Sequence, residues 1–141
     1  MNNKLDISSL DKAIKQLKKS MKFACSDLAK QNNELFFQFR AATIQGFEFT
    51  YELAIKFLRR QLEQIEASSE IVEQLGFKDL LRLGAMRGLI NSPEAWFNFR
   101  EQRNITSHIY DENKAQDVYE IIPEFLEEVQ FFFSALLKRN S

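Results

Sequence analysis

The sequence predicts an all-α protein, an up-and-down bundle of four to five helices in which residues 1–141 form a single domain. Three observations carry this. Only four glycines and two prolines occur in 141 residues, so the turn-makers that many short strands need are scarce. Phenylalanine is abundant, with 14 copies, and such large apolar side chains fill the space between packed helices. Apolar residues also recur at alternating three- and four-residue steps, which aligns them on one helical face. The length suits one domain and lets it bury enough surface to fold without staples.

The first helix opens at Ser8 or Ser9, either of which suits an N-cap. Leu10, Ile14, Leu17, Met21, Ala24 and Leu28 then form one stripe, with Lys12, Lys15, Lys19 and Lys22 on the other side. The polar stretch at residues 30–33 ends it. A long second helix covers roughly residues 34–66, with Phe36, Phe39, Thr43, Phe47, Thr50, Ala54, Phe57 and Ile65 on its apolar stripe. Its polar face carries Gln45, Glu48, Glu52, Lys56, Arg59 and Glu63, and Glu52 and Lys56 have the i,i+4 order of a surface ion pair. Arg40 falls near the apolar stripe, so it either snorkels to solvent or points into a cleft.

Ala67, Ser68 and Ser69 form a connection. Gly76, Gly84 and Gly88 interrupt the periodicity that follows and divide it into two short helices. Asn91, Ser92 and Pro93 restart the chain, with Ser92 as cap and Pro93 at the first helical position, where its missing N–H costs nothing. This helix carries Trp96, Phe97 and Phe99, core residues before they are base-stacking platforms, and then a polar run to His108. Asp111, Glu112 and Asn113 break the pattern. A last long helix has Val118, Ile121, Ile122, Phe125, Val129, Phe132, Phe133, Leu136 and Leu137 on its apolar face, with a kink expected at Pro123.

The net charge of −1 gives no global pull on nucleic acid, so any RNA contact needs a local patch. Cys25 is the only cysteine, which excludes an internal disulfide and suits a reducing compartment; it reads as structural. The opening MNNKLDISSL lacks the apolar run of a signal peptide, and no apolar run approaches the roughly 18 residues of a membrane span. Cytoplasmic location without membrane association is the expectation.

The segment RNITSHIY, residues 103–110, is the most informative and holds the only histidine. If it is helical, Arg100, Asn104 and His108 stack at i,i+4 spacing, and the Asn104 amide can orient the imidazole. Arg103 is long enough to reach the same pocket. Arginine binds phosphate through forked, charge-assisted bonds, and histidine titrates near neutral pH, so the pair suits phosphate chemistry. On spacing alone, a hydrogen-bonded histidine at a helix end is the plainer reading.

Arg103-x4-His108-x-Tyr110 matches the R-x4-H-x-Y signature of one branch of the HEPN superfamily. The stretches IQGFEFTYELAIKFLRRQL (residues 44–62) and GLINSPEAWFNFREQRNITSHIYDENKA (residues 88–115) resemble its nucleotidyltransferase substrate-binding proteins, and the likeness covers nearly the whole chain. The resemblance implies a helical bundle that dimerises and associates with a minimal nucleotidyltransferase encoded nearby. It gives Arg103, His108 and Asn104 the catalytic positions of the ribonuclease members. Tyr110 matches the tyrosine to which, in the toxin–antitoxin branch, the partner attaches AMP groups.

Metal-free RNA cleavage needs a base, an acid and a cation for the phosphorane. One chain has one histidine, so two imidazoles require two copies related by a dyad. The chain lacks the Gly-Ser and spaced aspartates of a nucleotidyltransferase, so it reads as the companion and not the transferase. Two functions stay open: a ribonuclease component, and a non-catalytic adaptor that presents nucleotide or substrate. Arg40, Glu48, Glu52 and Arg100 are candidates for the partner-facing or substrate cleft. No cofactor is expected, and no Glu here has the Glu-x-x-His pairing of a bundle metal site. The first-helix lysines are read as a solvated face.

Overall fold

The computed structural model describes residues 4–108 and 110–141; residues 1–3 of the opening segment and Ile109 within RNITSHIY lie outside the described residues. Among the described residues, seven α-helices follow one another: α1 (Ser8–Ala24), α2 (Asp27–Gln31), α3 (Asn33–Ile65), α4 (Ser69–Gln74), α5 (Phe77–Met86), α6 (Pro93–Ile105) and α7 (Glu112–Asn140). A 3₁₀ turn, Thr106–His108, separates the last two. The bundle consists of α1, α3, α5, α6 and α7, each ten residues or longer. No helix of the described residues is long and apolar enough to cross a membrane.

The central helix is α3, packed against α1 and α7, while α6 lies on α7. Five large aromatic side chains from three helices meet in the core: Phe47, Trp96, Phe99, Phe125 and Phe132. Phe47 and Phe125 sit edge to face at 4.9 Å, and Phe99 meets Phe125 at 5.2 Å. Edge-to-face contact is the favoured geometry of aromatic quadrupoles, which accounts for part of the phenylalanine count. Thr43 and Thr50 lie on the buried stripe of α3 and donate back to Phe39 and Gly46 carbonyls at 2.7 Å, so neither hydroxyl is orphaned.

Several expectations are corrected. The first helix stops at Ala24, because Ser26 caps a new turn by accepting from the Ala29 N–H at 3.3 Å. Leu28 is therefore off the stripe and exposed. Ser8 is the first helical residue rather than the cap, and its N–H donates to Asp6 Oδ1 at 3.0 Å. Leu137 is half exposed, because the core-facing stripe of α7 is narrower than its apolar sequence. Pro123 does not end α7, which continues from Glu112 to Asn140 with Pro123 on its exposed side. Cys25 is exposed at the end of α1, with Sγ 3.7 Å from the Tyr119 hydroxyl, so it is not a buried structural thiol.

Two short helices do replace the glycine-interrupted stretch, for two different reasons. Gly88 has φ +76°, and the Leu89 N–H reaches the Gly84 carbonyl at 2.8 Å while the Gly88 N–H reaches Ala85 at 3.1 Å. This is a Schellman stop. Gly84 is a packing glycine: a Cβ there would stand 2.8 Å from Ile90 Cγ1 and 3.0 Å from Leu58 Cδ1. Overpacking of that kind costs about 1–3 kcal/mol. Gly84→Ala is expected to lower the denaturation midpoint accordingly in spite of alanine's better helix propensity. An unchanged midpoint would mean that the α3–α5 contact is loose.

Candidate functional site

The site lies where the end of α6, the 3₁₀ turn and the start of α7 cross the middle of α3. Ser92 starts α6 by accepting from the Ala95 N–H at 3.3 Å, with Pro93 in the first turn as the sequence predicts. This phasing puts Arg100, Arg103 and Asn104 in the last turns. The helix stops at Ile105, so the i,i+4 stack of Arg100, Asn104 and His108 does not extend to His108. Among the described residues no hydrogen bond joins the Asn104 side chain to the imidazole. Asp111 closes the corner: its N–H donates to the His108 carbonyl at 2.9 Å, and its carboxylate accepts from the Asn113 and Lys114 N–H groups at 3.0 and 3.2 Å.

Arg103 is anchored on α3. Its Nε donates to Glu52 Oε1 at 3.0 Å, its Nη2 also donates to Glu52, and Nη2 lies 3.9 Å from Glu48 Oε1. Glu52 thus pairs across helices with the motif arginine rather than with Lys56, because a rigid neighbouring fork competes well against a flexible lysine on the same helix. The Glu52 hydrogen bond holds the guanidinium even more firmly protonated than usual. Thr106, which is buried, sits with Oγ1 2.8 Å from Glu48 Oε2 and 2.7 Å from the Arg103 carbonyl, so one proton serves two acceptors. Beside this network is a hollow of about 280 Å³ lined by Tyr51, Glu52, Ile55, Arg100, Arg103 and Asn104. The Arg100 guanidinium lies 4.6 Å from the Phe77 ring centre, a cation–π distance. His108 and Tyr110 are exposed at the corner, Tyr110 to 97%.

Arg40 does not join Glu48 and Glu52. It is 5% exposed and grips Glu112 with both terminal nitrogens, at 2.7 and 2.6 Å, while Nη1 also donates to Gln116 at 2.9 Å. It lines a separate hollow of about 260 Å³ together with Tyr110. Between the two, Ile44, Gln45, Glu48 and Thr106 line a third hollow of about 420 Å³. Of the predicted cleft residues, Arg40, Glu48 and Glu52 are on α3 and Arg100 is on α6, and Arg40 belongs to a different neighbourhood from the other three.

Three contributors have no signal in the sequence. Glu112 lies 72 residues from Arg40, and nothing in the local spacing marks Thr106 as a partner of Glu48 or Tyr51 as a wall of the hollow beside Arg103. Burial pushes the Tyr51 phenol up to about 12, with Arg100 and Arg103 opposing, and burial with the Cys25 contact pushes Tyr119 up to about 12. Both folded values lie above the ordinary 10.0, so the folded state holds these protons more tightly. Their contribution to stability is intact below about pH 10 and is lost as pH rises towards 12. Absorbance titration near 295 nm should show both phenols ionising late, with the denaturation midpoint falling across that window. A midpoint flat to the end of the window would refute this.

A protein named probable ribonuclease HepT from Haemophilus influenzae is 45% identical over 100 residues, covering 71% of this chain and 68% of that protein. A solved structure from Haemophilus influenzae, described as revealing the fold of a substrate-binding domain of a nucleotidyltransferase, superposes with a TM-score of 0.89 at 35% identity. It covers 93% of this chain and 98% of that one. A Thermus thermophilus structure shares the fold at TM-score 0.69 and 23% identity, over 90% of this chain and 98% of its own. The family model described as nucleotidyltransferase substrate binding protein like matches residues 5–138, and the chain belongs to that family.

Proposed function

We propose that this chain is the companion subunit of a minimal nucleotidyltransferase, and that two copies together cleave RNA without a metal until the transferase adenylylates Tyr110. The observation that carries this reading is the corner itself. Arg103 is fixed by two α3 carboxylates, while His108 and Tyr110 stand exposed one turn further on. Exposed, they are available to RNA, to a second copy and to a modifying enzyme.

In the reaction, His108 of one copy takes the proton of the ribose 2′-hydroxyl. The 2′-oxygen bonds to phosphorus as the bond to the 5′-oxygen breaks, and the second copy's His108 protonates that oxygen. The products are a 2′,3′-cyclic phosphate and a 5′-hydroxyl. Arg103 stabilises the charge on the phosphorane, and Glu52 holds the guanidinium in place for it. A phosphate added to Tyr110 brings negative charge and bulk to the corner, which repels RNA.

The charge balance favours one second reading. Around the motif, the α3 carboxylates Glu48 and Glu52 take up the Arg103 guanidinium while Arg100 lies over Phe77, so one copy attracts a polyanion weakly. A non-catalytic adaptor that presents substrate to the transferase needs no more than this. One experiment separates the two: incubation of the purified chain with RNA in excess chelator, before and after treatment with the cognate nucleotidyltransferase and ATP. Cleavage that stops as AMP mass appears on Tyr110 supports the ribonuclease. A stable complex with the transferase, with no cleavage and no adduct, supports the adaptor.

A further inference from the structure

Arg40 is unusual for an arginine, because charged side chains are rarely this buried. Its ion pair is lopsided. The guanidinium side chain is 6% exposed, whereas the Glu112 side chain that it grips is 62% exposed. The acid half is hydrated once released, and replacing it by another anion keeps the buried guanidinium paired, whereas leaving that cation unpaired would be costly. Phe36 and Phe37 help to hold it, with their ring centres 5.6 and 5.0 Å from the guanidinium carbon. The hollow in front is otherwise largely apolar, walled by Phe37, Ile44, Ala115 and Tyr110.

A fixed fork of N–H donors beside an aromatic wall matches a phosphate joined to a nucleoside. The fork recognises two oxygens of a phosphate as it does two of a carboxylate. At about 260 Å³ the hollow falls below the roughly 300–1,000 Å³ of pockets that enclose a whole ligand. It has room for the phosphate and the edge of a sugar, and the base is left to lie on the half-exposed Phe37 ring.

We propose that this hollow is a receiving site for a nucleoside 5′-monophosphate, with Arg40 as the phosphate receptor and Glu112 as the carboxylate that occupies the receptor until the phosphate arrives. For the tethered form of this ligand, the proposal rests on the reading of Tyr110 as the modified residue. There the Tyr110 hydroxyl oxygen bonds to the α-phosphorus of ATP held by the transferase. The bond from that phosphorus to the β-phosphate bridging oxygen breaks, pyrophosphate leaves with the electron pair, and the phenol proton passes to a base of the transferase or to water. The resulting diester keeps one negative charge at the rim that Tyr110 shares with Arg40. It displaces Glu112 and folds the adenosine onto Phe37, so the modification is stored in a built site rather than left waving in solvent.

The test is a titration of the full chain with adenosine 5′-monophosphate, followed by NMR, with adenosine as the control that lacks the phosphate. Saturable binding is expected for the monophosphate only. Arg40→Lys should weaken it about tenfold, because lysine cannot make the two-point contact. Glu112→Gln should tighten it about threefold or more, because the competing charge is gone. Thermal melts establish that each variant folds; if Arg40→Lys does not, Glu112→Gln and the adenosine control carry the test. Equal affinity in wild type and the folded variants, or no saturable binding, overturns the proposal.

A second arm treats the chain with the transferase and ATP and then follows AMP release by a phosphodiesterase. Release from Arg40→Lys should be several-fold faster than from wild type. If no adduct forms, the Tyr110 reading falls and the titration alone decides on the hollow. If the adduct forms but the titration shows no dependence on Arg40 or Glu112, the hollow is wrong and the modification stands.

Discussion

His108→Ala is expected to lower metal-free RNA cleavage by about 10²- to 10⁴-fold, the usual contribution of a positioned acid–base group. The protein should stay folded. His108 is exposed beyond the end of α6, and surface substitutions of this kind change stability by about 0.5 kcal/mol or less. Arg103→Ala should cost about 10²- to 10³-fold, the price of one oxyanion-type contact. Arg103→Lys should not restore activity, because the guanidinium forks towards Glu52 and phosphate together and an ammonium has no second fixed donor. If both proton transfers use imidazole, specific activity should also rise with protein concentration as the two-fold assembly forms. Unchanged cleavage by His108→Ala would expose a contaminating nuclease and end the ribonuclease reading.

Trp96→Ala should have the largest effect on stability. The side chain is 1% exposed and touches aromatic rings on three helices: Tyr51 of α3 at 6.3 Å, Phe99 of its own helix at 5.4 Å, and Phe125 and Phe132 of α7 at 5.8 and 6.2 Å. Buried Trp→Ala changes cost about 3–5 kcal/mol, a large share of the roughly 5–15 kcal/mol that a domain has in total. Chemical denaturation should show a loss of that size, and the variant sits near the threshold of folding at 37 °C. Trp96→Phe keeps an aromatic ring at the junction and should cost clearly less. Because Tyr51, which walls the hollow beside Arg103, packs on this ring, the alanine variant should also lose activity through the fold. A Trp96→Ala protein as stable as wild type would mean that the aromatic cluster can collapse around the gap.

Much of the helical outline was legible because it is encoded locally. The step pattern of α3, the Ser92–Pro93 start of α6 and the glycine-interrupted pair of short helices each depend on residues within a few positions of one another. The limits of local reading show in α1 and α6. A stripe can continue in sequence past Ala24 while the chain turns, because Ser26 offers the backbone a capped alternative that periodicity does not register. The same holds at Ile105, where helical spacing would have aligned His108 with Asn104 and the 3₁₀ turn carries it elsewhere.

The sequence by itself determined that the chain is helical, that Trp96, Phe99 and the aromatic stripe residues Phe47, Phe125 and Phe132 are core, and that Arg103, His108 and Tyr110 fall within eight residues of one another. Only the tertiary structure decided who holds whom. It gave Arg103 to Glu52, Thr106 to Glu48, and Arg40 to Glu112, pairings that span 51, 58 and 72 residues of chain. The physical reason is range. Helix formation follows contacts three and four residues apart, whereas the partner of a charged side chain is whichever opposite charge the packing of two helices brings within about 3 Å, and side-chain spacing along one helix carries no information about that.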